Sequence, residues 1–164
     1  MSLRHNLGVK GGYRNVSVEE IPVDENTLTI EMVPATYEGV QQIASIDPYA
    51  LQQMETTAGT MSVKFEPYGD TGNMVACTDM VGSILVRGVE FTKKARSLTI
   101  CSMGTGRIEV RENHPEGKLV AIIDADSAEM SETKVRLAAS PASVTDLCFL
   151  FKGAELKIDS WQFR

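Results

Sequence analysis

The sequence predicts an all-β protein built as a β-sandwich, and three features carry that reading. Strand-length apolar or alternating runs recur at short, regular intervals after Pro48. Clusters of Gly, Pro and Asn separate them: Tyr68-Gly-Asp-Thr-Gly-Asn73, Gly104-Thr-Gly106, Asn113-His-Pro-Glu-Gly117 and Ser140-Pro141. No stretch keeps a helical period between caps.

Taken in order, the first element is a hairpin between Gly11 and Pro34. Val16 and Val18 alternate with polar residues, Asp24-Glu25-Asn26 makes a polar turn, and Leu28, Ile30 and Met32 alternate again. Two strands alone are marginal in water, so this hairpin must pack on something else. At Gln53-Met54-Glu55 a strand would point Gln53 and Glu55 one way and send Met54 into the core. The alternation then predicts strands over Ser62–Glu66, Ser83–Phe91, Ser97–Met103, Arg107–Glu112, Lys118–Ile123 and Thr133–Ala138. The chain closes on Leu147–Phe151, continuously apolar as in a strand covered on both faces. Next come a turn at Lys152-Gly-Ala-Glu155 and a last strand with Leu156, Ile158, Trp161 and Phe163, so the closing stretch reads as a hairpin. Its apolar face changes side after Ile158, which predicts a bulge at Asp159-Ser160.

At 164 residues the chain holds one domain with a sizeable core, or a domain plus an extra element, and 43% apolar content is that of an ordinary globular protein. A net charge of −6 without any basic run argues against nucleic acid as a partner. No apolar segment reaches the roughly 18 residues of a membrane span, and Met1–Lys10 lacks the apolar centre of a signal peptide, so no membrane role is expected. Cys77, Cys101 and Cys148 are too scattered for a zinc site, and as an odd set they are expected to be buried free thiols. Asp124, Asp126, Glu129 and Glu132 are expected as solvated charges in a polar loop, His114 as a turn residue and His5 near a frayed terminus. Phe149, Phe151, Phe163 and Trp161 are expected in the core, and Tyr68 as an exposed loop aromatic.

The closing residues, "DLCFLFKG" followed by "LKIDSWQFR", resemble the last strands of a family 6 carbohydrate-binding module, usually worded D-L-Y-L-x-F-x-G and F-N-x-D-W-x-x-F. "GVEFTKKARSLTI" and "GRIEVRENHPEGKLVAIIDA" resemble the middle of the same family. Upstream, "GGYRNVSVEEI" and "TLTIEMVPATYEGVQQIASIDPY" resemble the segment that ends the five-bladed propeller of glycoside hydrolase family 43 and leads into an attached family 6 module; the matching residues are Tyr13 to Val16, Glu38 to Val40 and Asp47 to Tyr49. The resemblance thus implies a propeller-tail hairpin and linker over residues 1–47 and a module with a galactose-binding-like jelly roll over residues 48–164.

Several expectations follow from that resemblance. The family holds a structural calcium with oxygens that fall here on Gln53, Glu55 and Asp159, and calcium suits such carboxylate and amide ligands. Family modules bind sugars in a loop-end cleft, where a flat sugar face lies on aromatic rings beside polar groups. The first ring aligns with Cys77, the second falls in Ala128-Glu-Met-Ser131, and the family's Asn aligns with Lys157, so none of the three is kept. A second site using Tyr68 with Asp70 or Asn73 stays open. The parent would be a xylosidase- or arabinofuranosidase-like enzyme, secreted or at the cell surface, acting on xylan or arabinoxylan. Its catalytic acids would lie in propeller blades upstream, so this fragment is not expected to be an enzyme, and glycosidase chemistry needs two carboxylates at a defined separation. The expected partners are the parent catalytic propeller domain and xylan or arabinoxylan oligosaccharides. The alternative is a purely structural domain that stabilises the propeller.

Overall fold

Two compact units make up the computed structural model, Met1–Ile43 and Ala44–Arg164, and the residues described are 21–24, 26–27, 29–30, 32–33, 44–69 and 72–164. In the first unit Val23–Asp24 (β1) pairs antiparallel with Thr29–Ile30 (β2), Val23 opposite Ile30. The Asp24 carboxylate accepts the Asn26 N–H at 2.8 Å and the Thr27 N–H at 3.4 Å, the local bonding that suits aspartate to start a turn. The expected hairpin is therefore present here, with Ile21, Val23, Ile30 and Met32 exposed; Val16, Val18 and Leu28 lie outside the described residues.

The second unit begins four residues before the expected boundary. Ile46 already bridges Val89 in parallel, donating its N–H to Gly88 and accepting from Glu90. Its strands are Gln52–Gln53 (β3), Gly59–Met61 (β4), Val63–Tyr68 (β5), Gly72–Cys77 (β6), Val81–Glu90 (β7), Ser97–Glu112 (β8), Leu119–Arg136 (β9), Val144–Lys152 (β10) and Lys157–Phe163 (β11). Among the described residues there is no helix, and so none that could cross a membrane.

The architecture turns on β8. Its second half, Arg107 to Glu112, pairs with β10, whereas its first half, Leu98 to Met103, pairs with β11 on the same edge. The other edge of both halves is covered by β9. β8 and β9 thus run through both layers of a sandwich. One layer is β4-β7-β10-β8-β9 and the other is β5-β6-β11-β8-β9, with β3 also on β11. All pairs in both layers are antiparallel, in keeping with an all-β jelly roll.

Three sequence expectations are corrected here. Gly104-Thr-Gly106 is a bend inside one strand rather than a turn between two. Residues 124–132 are the middle of β9 rather than a loop, carrying extra residues opposite Ser102–Gly104. The closing stretch is not a hairpin, because β10 and β11 lie in opposite layers and pair with different halves of β8. The strand β6 escapes the pattern reading because Met74, Val75, Ala76 and Cys77 are all buried and show no alternation. The bulge expected at Asp159-Ser160 is observed as a register shift between Ile158 and Ser160.

Alternation fills the space between the layers. Ile84 and Val86 of β7, Ile108 and Val110 of β8, and Phe149 and Phe151 of β10 face Val75 of β6, Leu98 and Ile100 of β8, and Ile158, Trp161 and Phe163 of β11. A run of ring contacts ties the layers together. Phe149 meets Trp161 with centroids 5.3 Å apart, Trp161 meets Phe163 at 5.8 Å, Phe163 meets Phe91 at 5.0 Å and Phe91 meets Tyr49 at 6.2 Å. Each such pair adds roughly 0.5–1.5 kcal/mol beyond the area it buries.

The connection from β10 to β11 crosses β8 at its bend, backbone against backbone. A Cβ at Gly104 (φ +92°) would lie 2.1 Å from the Glu155 carbonyl oxygen, and one at Gly106 would lie 2.4 Å from that of Lys152. Gly69 is also left-handed, at φ +65°, but open space surrounds it. Gly104→Ala is therefore expected to cost about 3–5 kcal/mol, from the left-handed conformation plus a clash with backbone, and Gly69→Ala only about 1–2 kcal/mol, from the conformation alone. Urea unfolding of the two variants checks this, and equal losses would show that the close approach at the bend is not a constraint.

Candidate functional site

A cleft of about 450 Å³ opens at the bend of β8, lined by Lys64, Glu66, Ala76, Cys77, Met103, Gly104, Ala128, Ala154, Glu155, Leu156 and Lys157. The register explains why distant residues meet there. Lys157 of β11 is flanked by Ala76 of β6 and Met103 of β8. Lys64 of β5 lies opposite Ala76, and Ala128 sits in the bulged part of β9 beside the bend. Cys77, Lys157 and Ala128 therefore line one cleft, although eighty residues of chain separate Cys77 from Lys157.

The polar end of the cleft is an ion cluster. Lys157 Nζ lies 2.9 Å from Glu66 Oε2, and Lys64 Nζ lies 2.7 Å from Glu66 Oε1. Hydrogen bonds from Lys157 and then Lys64 hold the Glu66 carboxyl down at about 2. The Lys157 ammonium is thus committed to a protein carboxylate. Cys77 is buried, and burial pushes its thiol up to about 11. Met103, Ala76 and Leu156 give the floor an apolar character, and among the described residues no aromatic ring lines it.

Backbone pairing brings Gln53 and Met54 beside Asp159-Ser160, on the edge of β11 that β6 and β3 share. Gln53 pairs with Ser160, next to Asp159, and the Met54 N–H donates to the Asp159 carbonyl at 2.7 Å. Met54 is buried, as expected, but β3 ends at Gln53, so Glu55 stands in the following turn rather than on a continued strand. Glu55 Oε1 accepts the Asn73 N–H at 3.2 Å, whereas Oε2 is buried with no hydrogen-bond partner among the described residues. The Asp159 carboxylate accepts the Ser160 hydroxyl at 2.8 Å. Among the described residues no three His, Cys, Asp or Glu side chains converge as a metal site. A cation here would need the Gln53 amide and a backbone carbonyl beside the two carboxylates. An orphaned, buried carboxylate oxygen among hard oxygen donors fits calcium.

Tyr68 is 39% exposed at the end of β5, where Pro67 pairs with Asn73, and Asp70 lies outside the described residues. This places Tyr68 and Asn73 at the Glu55 end of the β5–β6 hairpin, four residues along β6 from Cys77.

The remaining candidate chemistry is weak. Burial raises the Cys148 thiol, and burial, then Asp159 and Glu132, raise that of Cys101, so neither thiol is activated. Cys101 is only half-buried, because it faces outward from β8, which corrects the expectation of three buried thiols. The carboxylates expected in a loop are strand residues: Asp124 is ion-paired with Arg107 at 2.7 Å and Asp126 accepts the Thr105 hydroxyl at 3.1 Å. One cluster was invisible to the pattern reading. Glu109, 6% exposed on the outer face of β8, is paired with Arg111 at 2.7 Å and with Lys152 of β10. Lys152 first and Arg111 second hold its carboxyl below the usual range. Its burial on an outward-facing position could not be inferred from alternation.

No family model matches the chain. It is 30% identical over 172 residues to the arabinoxylan arabinofuranohydrolase of Bacillus subtilis (strain 168), an alignment that takes in 96% of this chain and 33% of that protein. The crystal structure of a glycoside hydrolase family 43 arabinoxylan arabinofuranohydrolase from Bacillus subtilis, in complex with cellotetraose, superposes with a TM-score of 0.83 at 27% identity, covering 93% of this chain and 34% of the other. A family 6 module from Clostridium stercorarium, in complex with cellobiose, superposes with a TM-score of 0.68 at 18% identity, over 74% of this chain and 98% of the module. The fold is that of a family 6 carbohydrate-binding module.

The module fold therefore accounts for nearly all of the Clostridium stercorarium neighbour, while the chain spans about a third of the length of the curated relative it matches. In this module the cleft walls carry Cys77, Ala128 and Lys157 where the family resemblance leads one to expect two rings and an amide.

The ion cluster gives a titration prediction. Because the folded value for Glu66, about 2, lies below its ordinary value of 4.5, its contribution to stability is complete above about pH 4.5 and is lost as pH falls from there through 2. Carbon-13 NMR of the Glu66 carboxyl is expected to show a midpoint near 2, and Lys157→Met should move it upward, since Lys157 is the largest cause. A midpoint near 4.5 in the parent chain would show that the cluster is not formed in solution.

Proposed function

We propose that this chain is the non-catalytic, C-terminal carbohydrate-binding-type module of a glycoside hydrolase acting on xylan or arabinoxylan, with a loop-end cleft that has lost its sugar grip. The observation that carries this reading is the cleft itself. It is present in a family 6 fold and holds Cys77, Ala128 and an ion-paired Lys157 in the positions expected for the sugar platform. Similarity to the Bacillus subtilis arabinofuranohydrolase supports the parentage. A tethered module acts by raising the local concentration of polymer at its enzyme, which needs only weak binding.

Losing two rings removes stacking terms of about 1 kcal/mol each, and the Lys157–Glu66 pair would have to be broken for Lys157 to serve a neutral sugar. Three such kcal/mol is about a hundredfold in affinity, enough to silence a weak site. A second reading, that the module stabilises the parent propeller, is supported by the apolar residues Val23, Ile30 and Met32 of the first unit, which are exposed. NMR titration with xylohexaose is expected to leave the amides of Cys77, Ala128 and Lys157 unmoved. Shifts centred on those three would overturn the lost-cleft reading, whereas shifts confined to Tyr68 and Asn73 would relocate the neutral-sugar site.

Gln53, Glu55, Asp159 and the carbonyl beside them are proposed to hold a structural calcium, whose role would be to neutralise the buried Glu55 oxygen and pin β3 to the bulge of β11. Calcium is expected to raise the thermal midpoint, since a ligand of the native state alone adds about 2.7 kcal/mol at a hundredfold excess over its dissociation constant. Asp159→Ala should abolish that rise. An identical midpoint in chelator and in calcium, for protein shown metal-free by elemental analysis, would refute the site.

A further inference from the structure

The cations of the module are partitioned. Seven described Lys and Arg residues, at positions 64, 87, 107, 111, 118, 152 and 157, stand in ion pairs. Lys93 lies over the Tyr49 ring and Arg164 donates to Gln162. The remaining four, Lys94, Arg96, Lys134 and Arg136, have no ion-pair partner among the described residues, and all four line one groove of about 750 Å³. Among the described residues no carboxylate lines it, in a chain whose net charge is −6.

The sheet register builds this groove. Ser97 of β8 pairs with Arg136 of β9, Thr99 pairs with Lys134, and the Leu137 N–H donates to the Arg96 carbonyl. Lys134 and Arg136 therefore point outward from the same face, about 7 Å apart along the strand, with Arg96 and Lys94 on the segment entering β8. The face continues onto β11, where Gln162 lies opposite Thr99. One row further on, Glu132 lies opposite Cys101 and lines a smaller adjoining groove with Lys134.

We infer that this groove is a binding site for a carboxylate-bearing oligosaccharide, a uronic-acid-substituted segment of the polymer the module addresses. The inference rests on the polysaccharide-module reading. Guanidinium groups bind carboxylates with two parallel hydrogen bonds, and among the described residues neither Arg96 nor Arg136 has an ion-pair partner in the groove. The volume suits a ligand of a few sugar rings. Ser97 and Ser140 supply hydroxyls beside the cations, which suits a hydroxyl-rich chain. A nucleic acid fits less well. Among the described residues no aromatic side chain lines the groove for bases to stack on, and a strand with a phosphate at every nucleotide is repelled by the net negative chain, whereas sparse uronates meet the cations alone.

The test titrates the whole chain, by backbone-amide NMR, with glucuronosyl-substituted xylotetraose, with neutral xylotetraose and with a short single-stranded oligodeoxynucleotide. The acidic sugar is expected to shift Arg96, Ser97, Lys134 and Arg136. Its affinity should fall about tenfold from low to physiological salt, as for exposed charges, and the variant carrying both Lys134→Gln and Arg136→Gln should lose it about tenfold or more. Equal shifts with the neutral sugar, no shift in those residues, or preference for the oligonucleotide would each overturn the inference. Acidic-sugar shifts at Cys77 and Lys157 would overturn the groove while leaving the polysaccharide module standing. Binding of the oligonucleotide with no response to either sugar would remove both readings. Both substituted positions are exposed strand residues, and an unchanged amide spectrum elsewhere verifies the fold of the variant.

Discussion

The module depends on one close approach, the backbone of the β10–β11 connection lying against the bend of β8. A sandwich whose central strands pass through both layers must let its neighbouring strand change layers somewhere, and here that happens at Gly104, Gly106 and Gly153. Glycine is required because carbonyl oxygens of Thr105, Lys152 and Glu155 occupy the space that side chains would fill. β8 can then offer one edge to β10 and, past the bend, the same edge to β11. The candidate cleft is a by-product of this crossing. Met103, Gly104, Ala154, Glu155 and Leu156 line it because the bend and the connection leave a recess between them.

Most of the described aromatic residues are spent on the interior, Phe65 and Tyr68 being exposed. Phe149, Trp161, Phe163, Phe91 and Tyr49 form a continuous run of ring contacts across the layers. Those rings bring large apolar area and defined geometry to a core otherwise made of Ile, Val and Leu. With only 6% aromatic residues in the chain, none of the described ones lies on the walls of the cleft, and its polar end is closed by an internal ion cluster instead.

Charge follows a second logic. An acidic chain can neutralise its cations readily, and it does so on the outer face of the first layer, where Glu109 is held between Arg111 and Lys152, and at the cleft, where Glu66 is held between Lys64 and Lys157. Pairs of this kind add little stability where they face water. What they do is remove cations from the field seen by a ligand, so among the described residues the four cations outside ion pairs beside β8 and β9 stand out as a positive cluster.

The amino-acid order by itself determined the strands that alternate, the bulge at Asp159-Ser160, the hairpin turn started by Asp24 and the aromatic core, because each follows from side-chain period or local hydrogen bonding over a few residues. Resemblance in wording supplied the family, and with it the alignment that places Cys77, Lys157 and Ala128 together. The tertiary structure decided the rest. Whether Gly104-Thr-Gly106 is a turn or a bend, whether residues 124–132 are loop or strand, and whether β10 and β11 form a hairpin depend on which edges are free to pair, which no local pattern records. The burial of Glu109 on an outward position and the meeting of Lys94, Arg96, Lys134 and Arg136 in one groove have the same origin. They are set by strand register, through which residues some forty apart in the chain become neighbours only once the sheet has formed.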